Sequence, residues 1–250
     1  MADRSRWSVS RTGPRAMTRL PRKGGVAAPV RCGVRGVAVR VLLVGMLLGG
    51  AAEECAAVEP VPPPLYPHRS VRRHEYGWGA QSYWLFEPAD PAPESAPVVV
   101  LNHGWLAVNP GAYGAWIDHL VRCGHVVIYP RYQTDAFTPP AEFLPNALAA
   151  VNDALDVLET APGHVRPDRA RFALIGHSAG GNLAAQMAAV AGSARLPKPR
   201  AVVAMMPGEV QPLREPKFDA IPADTLLVVV VAEDDRVVGD LRGREIFAQA

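Results

Sequence analysis

The chain has 250 residues, of which 49% are hydrophobic and 20% charged, as is usual for a globular protein with a substantial core and unlike a disordered chain. Residues 1–57 contain ten Lys and Arg and three Asp and Glu; the remainder keeps 16 of the 26 basic and 21 of the 24 acidic residues, a net charge of −5. This mildly acidic remainder gives no electrostatic reason to expect a nucleic-acid partner.

The N-terminal segment has the pattern of an export signal. A long basic stretch precedes an apolar core at 41–52, and small residues follow it, which predicts a signal peptide cleaved after Ala57. Two alternatives stay open: an uncleaved membrane anchor, with membrane association through residues 37–52, or a buried helix of the domain. We therefore expect a secreted or cell-envelope (periplasmic) protein with residues 1–57 as targeting segment, 58–70 as a proline-rich linker, and 71–250 as the folded domain.

The domain begins with two strands and then alternates strands with helices. The runs "SVRRHEY" and "AQSYWLFEP" predict an antiparallel hairpin. Further strands are predicted at "APVVVLNHG", "HVVIYPRY", "ARFALIGHS", "PRAVVAMMPG" and "DTLLVVVVAEDD", and helices at "AYGAWIDHLVRCG", "PAEFLPNALAAVNDALDVLET", "AGGNLAAQMAAVAG" and "GDLRGREIFAQA". This alternation predicts an α/β fold with a doubly wound, mostly parallel sheet and an antiparallel N-terminal hairpin.

The stretch "GHSAGGN" predicts a nucleophilic serine. It lies between a predicted strand and a predicted helix, so Ser178 would sit on a sharp turn at the carboxyl end of the strand. Side chains in place of Gly176 or Gly180 would collide with neighbouring elements. The helix that begins at Ala179 would direct its free N–H groups towards an oxyanion.

A second loop is predicted to complete the oxyanion hole. After "VVVLN" comes His103-Gly104-Trp105, where the glycine allows close approach to a substrate and the Trp105 N–H can join that of Ala179. His103 is expected to hydrogen-bond locally and shape this loop rather than to transfer protons. The alternative for Trp105 is a packing aromatic.

An acid is predicted at the end of the last strand. Asp235 follows "TLLVVVVAED", where a carboxylate can orient a histidine and stabilise its charged form. Asp234 is interpreted as its solvated neighbour, and Glu209, after the preceding strand, is the other candidate.

These motifs resemble the α/β-hydrolase superfamily. The resemblance rests on "VVVLNHGW", "HVVIYPRY", "FALIGHSAGGNLA" and "LLVVVVAEDDRVV". The loop after the third strand, Tyr113 and "GHVVIYPRY" are loosely similar to the cutinase-like, chlorophyllase and platelet-activating-factor acetylhydrolase group. The resemblance implies a serine esterase acting on a small-molecule or polymeric ester, with Ser178 as nucleophile, Asp235 as acid and Trp105 and Ala179 as oxyanion donors. A peptidase or amidase of the same fold is the alternative.

The catalytic histidine of this superfamily follows the acid in the chain, but all seven histidines precede Ser178: His68, His74, His103, His119, His125, His164 and His177. Two hypotheses explain this. In the favoured one the chain is truncated before the C-terminal strand and helix, so that the histidine lies beyond residue 250 and the chain alone is nearly inactive. In the other the protein is a non-catalytic, membrane-tethered binding module.

Cofactor chemistry is not indicated by the sequence. No His, Asp and Glu cluster has ligand spacing along the chain, so neither a metal nor an organic cofactor is expected. Cys123 is the one cysteine of the predicted mature part and is interpreted as a packing residue at a helix end.

Overall fold

The structure is a computed structural model that describes residues 65–209 and 217–250. The predicted targeting segment 1–57, most of the linker and part of the loop after the sixth strand lie outside the described residues. No helix in the described ranges is long and apolar enough to cross a bilayer.

The described residues form one seven-stranded sheet with helices on both faces. The strands are β1 Ser70–Tyr76, β2 Tyr83–Ala89, β3 Ser95–Asn102, β4 Val126–Pro130, β5 Arg166–His177, β6 Ala201–Met205 and β7 Leu226–Val230, and the α-helices are α1 Gly114–Arg122, α2 Phe143–Thr160, α3 Ala179–Val190 and α4 Leu241–Gln249. The strand order is β1-β2-β4-β3-β5-β6-β7. β2 is antiparallel to both β1 and β4, and the strands from β4 to β7 are parallel. The predicted hairpin and mostly parallel sheet are confirmed.

The two faces of the sheet have separate cores because side chains alternate along each strand. On β3, Val98 and Val100 belong to the cluster under α2, α3 and α4. Val99 and Leu101 belong to the smaller cluster that Ile117 of α1 covers. Burial of each such side chain stabilises the fold by about 1.5–3 kcal/mol, so continuous apolar strands are stable only when covered on both sides.

The helix α2 has apolar residues at helical spacing, and it buries this face against the sheet. Val151, Leu155 and Leu158 are fully buried, and Leu148 is partly buried at the edge of the same cluster. Ala147, Ala150 and Ala154 are also fully buried, and their small side chains let the helix lie close to the sheet. The fold thus places the ends of all the parallel strands at one edge, where the loops carrying Trp105, Ser178 and Asp235 emerge.

Candidate active site

Ser178 occupies the turn between β5 and α3 in a backbone conformation that few residues adopt. Its φ is 56° and its ψ is −125°, a strained combination that costs about 1–3 kcal/mol for a residue with a side chain. Hydrogen bonds from both sides hold it there. The Ser178 N–H donates to the Met205 carbonyl at 2.9 Å, and the Ser178 carbonyl accepts from Gly181 and Gly208 N–H groups, each at 2.9 Å.

Two glycines make this turn sterically possible. A Cβ on Gly176 would lie 1.9 Å from the Gly180 carbonyl oxygen, and a Cβ on Gly180 would lie 2.2 Å from the Asn102 carbonyl oxygen and 2.3 Å from that of His103. The start of α3 therefore lies directly against the end of β3, closer than any other residue type allows. This contact is what brings the loop after β3 to Ser178.

The loop after β3 lies beside the serine. A Cβ on Gly104 would be 3.4 Å from the Ser178 Cβ. Trp105 follows; the residue is 45% exposed, and its ring centroid is 5.5 Å from that of Phe143. Ala179 is the first residue of α3, so its N–H lacks an intrahelical acceptor. The two N–H groups predicted for the oxyanion hole thus lie on segments that the structure brings together.

Tyr113 connects the loop after β3 to the elbow. The Gly104 N–H donates to the Tyr113 hydroxyl oxygen at 2.8 Å, and this hydroxyl is 2.9 Å from Nδ1 of His177. Because the oxygen already accepts from Gly104, its own proton is available for His177. Burial raises the pKa of Tyr113, so the hydroxyl stays protonated. The sequence indicated Tyr113 only through the family resemblance. No sequence pattern predicted that its hydroxyl would contact both Gly104 and His177.

Asp235 lies in the loop after β7, on the same edge as Ser178. Its Oδ1 accepts the N–H groups of Val237 at 2.8 Å and Val238 at 3.1 Å. These bonds, with a smaller contribution from His177, hold the pKa of Asp235 below its ordinary value. The Cγ1 atom of Val238 would be 3.1 Å from a Cβ on Gly208, the residue that donates to the Ser178 carbonyl. The loop of Asp235 therefore packs next to the elbow.

The other two acid candidates lie near the same edge. Asp234 is exposed, and the Glu209 carboxylate is exposed and lies 4.0 Å from the Arg242 guanidinium. Gly208 also lies against the elbow, and no sequence pattern predicted this. A Cβ added to Gly208 would be 3.4 Å from both the Ser178 carbonyl carbon and the Ala179 nitrogen.

A family model described as "alpha/beta hydrolase fold" matches residues 100–234, more than half of the chain. The chain belongs to the α/β-hydrolase fold family. The match extends from the β3 strand to the acidic turn after β7 and so includes Trp105, Ser178 and Asp234 but ends one residue before Asp235. No curated protein matches the sequence significantly.

The histidines of this hydrolase-fold chain serve other contacts. His103 is fully buried, with Nδ1 2.6 Å from the Gly104 carbonyl oxygen and Nε2 2.7 Å from that of Arg131. Burial lowers the pKa of His103, which keeps it neutral. His119 lies on α1, and His125 precedes β4 at the opposite edge of the sheet. Across residues 65–209 and 217–250, no hydrogen bond joins the Ser178 hydroxyl to a histidine.

Metal-ligating side chains do not cluster at the Ser178 edge within the described ranges. The sequence showed no cluster of ligating residues by spacing, yet the fold assembles one from distant segments: His74, Glu87 and His164. It lies at the other edge of the sheet, before the start of β5.

Proposed function

We propose that this chain carries the nucleophile, the acid and the oxyanion donors of a serine hydrolase that cleaves carboxylic esters through an acyl-enzyme. The observation that carries the proposal is the strained conformation of Ser178 at a strand-to-helix turn, with φ at 56°. Such strain persists only where the surrounding structure enforces it, and it clusters at active sites. The family match supports hydrolase chemistry in general; the ester substrate and the residue roles are our inference.

In this mechanism the Ser178 Oγ attacks the ester carbonyl carbon. The oxyanion that forms accepts hydrogen bonds from the N–H groups of Trp105 and Ala179, and the positive end of α3 adds to its stabilisation. An imidazole held by Asp235 takes the serine proton and returns it to the departing alcohol. Water, activated by the same imidazole, then hydrolyses the acyl-enzyme and regenerates the serine. No step requires a metal or an organic cofactor.

The experiment supplies the base from solution, because none of the histidines in the sequence is hydrogen-bonded to the Ser178 hydroxyl. The purified chain is incubated with a fluorophosphonate probe with and without added imidazole, and the labelled residue is identified by mass spectrometry. We expect labelling at Ser178, accelerated by imidazole and abolished in Ser178→Ala. Ser193→Ala is the matched control, since Ser193 is an exposed serine just after α3 and its loss should leave labelling unchanged. Absence of labelling at Ser178 even with imidazole would refute the proposal.

Two other functions use the same fold. The lack of a histidine bonded to Ser178 favours a non-catalytic binding module, which predicts no imidazole-dependent labelling. A peptidase or amidase would also be labelled by the probe, so substrates must distinguish it from an esterase. Imidazole-supported turnover of p-nitrophenyl esters, without turnover of the matched p-nitroanilides, would support the esterase.

We also propose that residues 1–57 direct export. Expression of residues 1–250 with nothing added before Met1, followed by N-terminal sequencing of the product, tests this, since cleavage after Ala57 gives a protein that begins at Val58. An intact N-terminus in the membrane fraction would support the anchor instead. An intact chain that stays in the cytoplasm would contradict both.

A further inference from the structure

Three potential metal ligands converge at the edge of the sheet opposite Ser178. Glu87 lies on β2 with its side chain fully buried, His74 lies on β1, and His164 lies in the turn before β5. One ligand atom from each falls within 4.8 Å of those of the other two. The β1–β2 register explains part of this arrangement. Arg72 pairs with Glu87 and His74 with Leu85, so the side chains of Arg72, His74 and Glu87 share one face of the sheet.

The two oxygens of Glu87 have different partners. Oε2 accepts the Val165 N–H at 2.6 Å and lies 3.3 Å from the Arg72 guanidinium. Oε1 faces both imidazoles, with Nδ1 of His164 at 2.9 Å and Nε2 of His74 at 3.6 Å. The carboxylate is thus fixed through one oxygen while the other points at two nitrogen ligands.

The two imidazoles differ in a way that suits a bound ion. Nε2 of His74 is buried and, among the described residues, has no hydrogen-bond partner, although a buried nitrogen without a partner is costly. Nε2 of His164 lies 2.9 Å from the Tyr76 hydroxyl. A metal-ligating histidine typically donates its second ring N–H to such a group, which fixes the ring orientation.

We propose that His74, Glu87 and His164 bind one Zn²⁺ ion through Nε2, Oε1 and Nδ1. Ligands at about 2.0–2.1 Å in a tetrahedral site lie about 3.3 Å apart, and the Oε1 atom is 2.9 Å and 3.6 Å from the two nitrogens. The ion would replace the direct His164–Glu87 hydrogen bond, and Nε2–H of His164 would then donate to Tyr76. The three protein ligands leave one tetrahedral position, which a water molecule would fill.

This site is separate from Ser178 in the fold. β5 begins two residues after His164 and ends at the residue before Ser178, so its 12 residues separate the two sites by up to about 40 Å at a rise of about 3.3 Å per residue. The ion would join β1, β2 and the turn before β5, which gives it a structural role. Zn²⁺ is therefore expected to raise the melting temperature without changing the labelling of Ser178.

The test uses the whole chain, purified with a chelator and then dialysed free of it. Zn²⁺ binding is measured by isothermal titration calorimetry, and Co²⁺ serves as a spectroscopic probe because a four-coordinate site gives intense visible absorption. We expect one Zn²⁺ per chain and an affinity reduced by more than about tenfold in His74→Ala. Glu87→Gln should have a comparable effect with little change in side-chain shape.

Two controls distinguish this site from others. His68→Ala removes a half-buried histidine from the chain just before β1 and should leave binding unchanged. Cys123→Ser removes a thiol that lies 3.9 Å from His119, a pair that could also hold Zn²⁺. Absence of stoichiometric binding would overturn the proposal in favour of a metal-free ion-pair cluster. Binding that survives His74→Ala and is lost in Cys123→Ser would also overturn it.

Discussion

Replacing Gly180 with alanine tests the contact on which the candidate active site depends. Gly180 lies in the first turn of α3, where helix propensity alone predicts that alanine is more stable than glycine by about 1 kcal/mol. The structure predicts the opposite sign. The new Cβ would lie 2.2 Å from the Asn102 carbonyl oxygen and 2.3 Å from the His103 carbonyl oxygen.

The loss of stability in Gly180→Ala can be worked out from how far the helix and the strand must move apart. Ordinary contacts of a Cβ atom begin at 3.4 Å, so α3 and the end of β3 must separate by about 1 Å, and neither obstacle is a side chain that can rotate away. Overpacking of this kind costs about 1–3 kcal/mol or more. Because both obstacles are backbone atoms at 2.2–2.3 Å, we expect the upper end of that range, about 3 kcal/mol. After the propensity gain of about 1 kcal/mol, the net loss of stability is about 2 kcal/mol, which lowers the melting temperature by about 4–8 °C in a domain of this size.

The assay combines thermal unfolding with labelling of Ser178. Displacement of catalytic groups by about 1 Å can cost a factor of about 100 in rate, so imidazole-supported labelling of Gly180→Ala should fall much more than its stability. Gly192→Ala is the matched control, because Gly192 lies just after the same helix and its Cβ would meet nothing within 4 Å. A Gly180→Ala protein that melts within a degree of the wild type and is labelled at the same rate would refute the proposed contact.

Two further substitutions test other parts of the site. Tyr113→Phe removes the hydroxyl that contacts both the Gly104 N–H and His177 Nδ1. The free energy of unfolding, measured by urea denaturation, should fall by about 1–3 kcal/mol. An unchanged urea midpoint would contradict the bridging contact. Asp235→Asn keeps an acceptor oxygen and removes the charge. Because the folded-state pKa of Asp235 is lowered, its charge stabilises the fold above the unfolded-state pKa of about 4, and this contribution disappears as the pH falls through the lower folded-state value. Asp235→Asn should therefore be less stable than wild type at neutral pH, and the difference should shrink as the pH falls below the unfolded-state pKa of about 4; a difference that stays constant in acid would show that something other than the charge is responsible.

Local patterns predicted the sheet and the elbow because each depends on neighbours in sequence. The apolar runs of β3 to β7 and the helical period of α2 reflect burial on defined faces. The turn at Ser178 could be predicted because the glycines that permit it lie two residues away on either side.

The remaining contacts depend on which distant segments the strand order makes adjacent. Gly208 meets Ser178 only because β6 lies beside β5, and Tyr113 reaches His177 across 64 positions in the chain. The carboxylate of Glu87 is 77 positions from the imidazole it contacts in His164. A motif search that counts spacing along the chain cannot find such pairs, which is why the sequence showed no metal-ligating cluster.

The strand β5 would keep the two proposed sites independent of each other. Its carboxyl end forces Ser178 into the turn, and the segment before its amino end presents His164 to Glu87. In the β3–β5 ladder the register shifts between Pro97 and Val98, so the part of β5 near His164 is offset from the part that leads to Ser178. We therefore expect a change in metal occupancy at the amino edge to be absorbed at this irregularity before it reaches Ser178. On this argument the melting temperature depends on Zn²⁺ and the reactivity of Ser178 does not.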